Sequence, residues 1–147
     1  MNKLALEYWK EYWKDKEAPI GVTAWQFGET PDYLAQLVVD GVKTATCSAY
    51  EFYETEGEPL PQVGEYSIIL NSKDEPVCII QTVDVQIMPF YEVPEEFAYA
   101  EGEGDRSYTY WRNVHVKFFS DELKSIGKRF KEDMFVVCER FKLINVK

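Results

Sequence analysis

Thr30-Pro31-Asp32-Tyr33-Leu34-Ala35-Gln36-Leu37-Val38-Val39-Asp40-Gly41-Val42-Lys43-Thr44-Ala45-Thr46-Cys47-Ser48 decides the fold, because it punctuates a helix and then starts a strand. Thr30 stands at the N-cap, Pro31 at the first helical position and Asp32 in the first turn, while Leu34, Leu37 and Val38 share one side and Gly41 ends the helix. The chain then changes period. Residues 43–53 are rich in Thr, Ser and aromatics and predict a strand, in which Thr44, Thr46 and Ser48 share one face with Lys43 at its entry.

Working outward, Leu4, Tyr8, Trp9, Tyr12 and Trp13 fall at helical spacing and predict an amphipathic helix over 2–16, its aromatic stripe a packing face. Residues 19–30 read as extended. After a loop over 54–64, the Pro61-x-x-Gly64 turn delivers a short strand at 66–70, and alternation over 77–88 predicts a longer strand pairing with it as a hairpin. Helical patches follow at 94–100 and 107–119. Ser120 is taken as the N-cap of another helix reaching Lys131, and residues 134–146 predict a closing strand. The sum is an α+β domain of five or six strands with flanking helices, single over 1–147, with 1–24 as helix and lead-in and 25–147 as the core.

The 147 residues carry a net charge of -10. That charge is segregated: residues 17–105 hold eighteen acids against Lys43 and Lys73 alone, whereas both ends are mildly basic. An acidic middle repels polyphosphate, which disfavours tight sequence-independent nucleic-acid binding but leaves contact with one nucleotide or nucleoside open. No apolar run approaches a membrane span and no signal-peptide core follows Met1, so no membrane association and a cytoplasmic location are expected. Cys47, Cys78 and Cys138 form no CxxC pair, and with His115 as the sole histidine no ligand-spaced metal motif exists; neither metal nor cofactor is expected.

Two segments carry chemistry. A lysine beside hydroxyls serves either as a general base toward Thr or water or as a cation facing a developing oxyanion, and nearby acids favour the second. The ordinary alternative is a solvated lysine at a helix C-terminus. Glu101-Gly102-Glu103-Gly104-Asp105 places three carboxylates on a turning backbone, able to orient Lys43, bind a sugar hydroxyl or coordinate magnesium, or simply to face solvent. Trp111 and His115 lie one helical turn apart. Trp111 is a candidate for stacking on a base and Arg112 for reaching a polar group, although Trp111 is equally a core candidate; Cys47 with His115 would form a nucleophile–base pair on paper.

Together these segments resemble the ASCH-domain family, whose barrel is similar to the PUA domain. The resemblance is carried by Trp25-Gln26-Phe27-Gly28, Leu34-Ala35, Gly41-Val42-Lys43-Thr44-Ala45-Thr46, Pro61-x-x-Gly64, Pro89-Phe90, Phe97-Ala98, the Glu101–Asp105 loop, Trp111-Arg112, His115 and Phe118-Phe119, and is nearest an acidic bacterial subgroup. It implies a closed or nearly closed barrel whose cleft meets RNA or a nucleotide. Some members are amidohydrolases that deacylate N4-acetylcytidine with a lysine, a threonine and a glutamate, which would carry over to Lys43, Thr46 and Glu101. Thr44, Ser48, Glu103, Asp105, Trp111, Arg112 and His115 would then contact substrate. The alternative is a module that binds RNA or a nucleotide without chemistry, through Lys43 and Arg112 on phosphate and an aromatic on the base.

Overall fold

The hairpin expected from the two central strands is the middle of the sheet. In the computed structural model, which describes residues 1–147, β3 (Tyr66–Leu70) pairs antiparallel with β4 (Pro76–Pro89). Asn71 makes the connecting turn by accepting the Lys73 and Glu75 N–H groups on its side-chain oxygen. β4 then pairs along its length with β5 (Phe135–Val146), with register shifts between Ile79 and Ile80 and between Thr82 and Asp84 that bend the ladder. β1 (Val22–Gln26) joins β3 in parallel, β2 (Ala45–Ala49) joins β5 antiparallel, and the order is β1-β3-β4-β5-β2. The edge strands β1 and β2 do not pair. The sheet is therefore a five-stranded curled half-barrel with flanking helices, the α+β architecture expected, left open between β1 and β2, and its first strand begins at Val22.

Helices cover both sides of this curl. α1 (Lys3–Trp13) is capped by Asn2, whose side chain accepts the Ala5 N–H, and buries Ala5, Tyr8 and Trp9 against Ile68, Leu70 and Ile79; Leu4 faces solvent. α2 (Pro31–Val39) sets Leu34, Ala35 and Val38 on Ile69, Cys78, Ile80 and Phe141. Thr30 makes no side-chain cap, and Asp32 instead accepts the Ser72 N–H and hydroxyl. A third cluster joins Ala45, Cys47 and Ala49 of β2 to Phe90, Phe97, Trp111 and Phe119.

Two boundaries differ from expectation. Residues 50–56, expected as strand to 53 and loop beyond, are helix α3 (Tyr50–Glu56), because the turn lets Phe52 pack on the β2 cluster; Gly57 in the left-handed region ends it. α4 (Glu95–Glu101) is followed by one continuous helix, α5 (Tyr108–Lys124), in which Ser120 is internal. Trp111, His115, Phe119 and Leu123 are all buried at four-residue spacing, and that stripe carries the helix through Ser120.

Candidate active site

α2 ends at Val39 with Asp40 as its cap, Gly41 at φ of +75° turns the chain, and the Val42 and Lys43 N–H groups both donate to the Leu37 carbonyl. This tight exit sends Lys43 inward, leaving it 2% exposed. Its Nζ donates to Glu101 Oε1 at 3.1 Å and Glu103 Oε2 at 3.0 Å, and lies 5.3 Å from the centre of the Phe27 ring. Glu101 is the last residue of α4. Its second oxygen accepts from Trp111 Nε1 at 2.5 Å and lies 3.2 Å from His115 Nε2.

The hydrogen bonds fix the charge states. His115 Nδ1 lies 2.8 Å from the Trp111 carbonyl, an acceptor only, so Nδ1 donates; Nε2 also faces an acceptor, so the ring is held as imidazolium. Burial opposes that charge, but the Glu101 carboxylate outweighs it and raises the His115 pKa. Lys43 behaves likewise: burial pulls it down, while Glu101 and Glu103 more than compensate and hold it as ammonium. Burial would raise Glu101, yet His115 and Lys43 depress it far below the usual carboxylate range. Glu103 goes the other way. Its burial and the nearby Glu101 charge outweigh Lys43, so its carboxyl is raised.

These side chains wall one end of a cavity of about 190 Å³, whose lining also includes Thr46, Cys47, Tyr33, Tyr110 and Phe118. The Thr46 hydroxyl has no protein hydrogen-bond partner there. Glu101, Glu103 and His115 offer ligand atoms within 4.8 Å of one another. They could converge on a cation only if Lys43 gave up both carboxylates and His115 lost its Nε2 proton, so the donor set as arranged serves the ammonium.

The ASCH domain model matches residues 23–145, which span all five strands and the whole of this cluster. The chain belongs to the ASCH domain family. An ASCH domain from Lactobacillus crispatus is 32% identical, covers 97% of this chain and 95% of its own, and superposes with a TM-score of 0.92. A protein from Enterococcus faecalis is 36% identical over 99% of this chain and 91% of its own, with a TM-score of 0.87. An ASCH protein from Zymomonas mobilis shares the fold alone, at 11% identity and a TM-score of 0.50 over 86% of this chain and 67% of its own. Comparison with curated proteins gives no significant match.

Within this ASCH domain, Lys43, Thr46, Glu101, Glu103 and His115 come together as the sequence suggests, and other candidates do not. Thr44 precedes β2 and turns outward, its N–H and hydroxyl both donating to the Ala100 carbonyl, so the shared face reduces to Thr46 and Ser48. Ser48 lies within 2.9 Å of the Tyr53 hydroxyl, beyond the cavity. Asp105 is exposed and accepts the Ser107 N–H at the start of α5. Trp111 is 2% exposed, stacked between Phe90, Tyr108 and His115; it holds Glu101 and has no face free for a base. Arg112 lies outside the cavity lining and pairs with Glu132. The Cys47–His115 pair fails as nucleophile and base, because burial, Cys138 and Glu101 push the thiol well up while His115 is already protonated.

Sequence reasoning passed over Tyr33 and Tyr110. Tyr33 OH accepts the Gly104 N–H at 3.1 Å, and Gly104, at φ +59°, sits against the Tyr110 ring with no room for a side chain. The second glycine of the acidic loop was the available signal: it marks where the backbone must approach an aromatic wall.

Proposed function

We propose that this ASCH domain hydrolyses the amide of an N-acylated nucleoside at Thr46. The observation that carries this reading is the buried Lys43 ammonium, held between Glu101 and Glu103 in a cavity that also presents an unengaged threonine hydroxyl. Thr46 Oγ attacks the acyl carbon, and the oxyanion that forms faces Lys43, a preorganised cation in a site with little water. Glu103, whose carboxyl is raised by burial and by the Glu101 charge, takes the hydroxyl proton and passes it to the departing amine nitrogen as the C–N bond breaks. Water then cleaves the threonyl ester by the reverse assistance and releases the acid. Glu101 acts through Lys43 and His115 as a positioning residue. Of the two roles open to a lysine in this pattern, oxyanion stabilisation fits its charge state.

Recognition of RNA through Lys43 and Arg112 has little support, since carboxylates already hold both cations. A chromatographic assay of N4-acylated cytidines tests the proposal. Lys43→Ala and Glu101→Gln, with folding verified by circular dichroism, should each lower kcat by about 10²-fold or more. Turnover equal to wild type in both folded variants would contradict it.

A further inference from the structure

Thr46 stands at the meeting of two concavities. On one side is the charged cavity described above; on the other a groove of about 960 Å³ runs through the mouth of the half-barrel between the unpaired edges β1 and β2. The two share Phe27, Gly28, Thr46, Cys47 and Phe118 as a common wall. A substrate whose scissile carbon is at Thr46 and whose carbonyl oxygen faces Lys43 has this groove open to its other half.

The groove has a consistent chemistry. Its titratable lining is Glu58, Glu65, Glu122 and Glu139 among the acids, with Tyr53, Tyr66 and Cys47 and no Lys, Arg or His. Glu139 is the direct cross-strand partner of Thr46 in the β2–β5 ladder, which puts the two Cβ atoms roughly 5 Å apart on one face. It is only 8% exposed. One carboxyl oxygen accepts the Thr82 hydroxyl at 3.3 Å, and the other has no protein partner and opens to the groove. An acceptor on the wall of a groove is placed to take a hydrogen bond from a donor on a bound ligand.

We propose that this groove binds the amine-bearing half of the substrate, a neutral or cationic ring that offers N–H donors and carries no phosphate, with Glu139 accepting from that ring. This rests on the amidohydrolase reading, which puts the scissile carbon at Thr46. Burial and Glu65 raise the Glu139 carboxyl, as expected where no cation stands by. A phosphate would enter among the carboxylates of the groove with no counter-charge, so a nucleoside is accepted and its monophosphate refused.

NMR titration of the full chain with cytidine and with cytidine 5′-monophosphate tests this. Cytidine should saturably shift amides of β1, β2 and β5 around Thr46, Ser48 and Glu139. The monophosphate should bind at least about tenfold more weakly, with the gap narrowing as salt rises. Glu139→Leu, which removes the acceptor while keeping the site filled, should weaken cytidine about fivefold or more. Shifts confined to the Lys43 cavity, equal or tighter binding of the monophosphate, or no saturable shift would each overturn the proposal; the wild-type comparison decides it even if Glu139→Leu fails to fold. Groove shifts with no turnover of any acylated cytidine would remove the hydrolase and keep the site, whereas turnover with shifts confined to the cavity would keep the hydrolase and remove the site.

Discussion

Lys43 is buried because two carboxylates meet it, and His115 and Lys43 together hold Glu101 charged. Removing Lys43 leaves Glu103 without its cation and Glu101 with His115 alone, and breaking a buried pair costs about 3–5 kcal/mol. Lys43→Ala should therefore lower the denaturant midpoint as well as activity. Lys43→Ala with Glu101→Gln should recover part of that stability without recovering turnover, which equilibrium unfolding and the assay can separate. His115 supplies a pH signature of definite sign. Its folded pKa is raised above its ordinary 6.5, so its contribution is complete below that value and is lost as pH rises through the folded one. Glu101, depressed, contributes above the ordinary carboxylate range and loses that contribution as pH falls. Unfolding at pH 6 and pH 9 should show a larger alkaline loss in wild type than in His115→Gln; equal slopes would place His115 as neutral.

At the scale of elements, the site depends on how α4 ends. Gly102 has φ of +75°, and a Cβ there would lie 2.5 Å from the Val42 carbonyl oxygen, backbone that cannot give way. Gly102→Ala should destabilise the protein by about 2 kcal/mol or more and, by displacing Glu101 and Glu103, lower kcat beyond the effect of stability alone. Ser107, which accepts the Tyr110 N–H and starts α5, offers a control: Ser107→Ala should cost about 1 kcal/mol and leave turnover near wild type. The signals that made elements legible in sequence were local ones. Pro31 and Gly41 bracket α2, and alternation marks β4, whereas the aromatic run 50–53 was read as strand because its true partner, the β2 cluster, is set by tertiary packing. Lys43 and Glu101 were both legible as chemistry. That they meet across 58 residues, and that Trp111 faces inward to hold the pair, depends on the α4–α5 corner and is invisible to spacing.

At the scale of the molecule, the negative middle turns out to be organised. Some of its acids hold Lys43, others line the groove, and the half-barrel opens between β1 and β2 where a closed barrel would have left no entrance. No helix is long and apolar enough to cross a membrane. The most direct measurement is kcat on N4-acylated cytidines for wild type, Thr46→Ser and Thr46→Val, because Val keeps the shape of Thr and removes the hydroxyl. Turnover in wild type, substantial retention in Thr46→Ser and loss of about 10²-fold or more in folded Thr46→Val is the expected result. Turnover in Thr46→Val equal to wild type would contradict the placement of the reaction at Thr46.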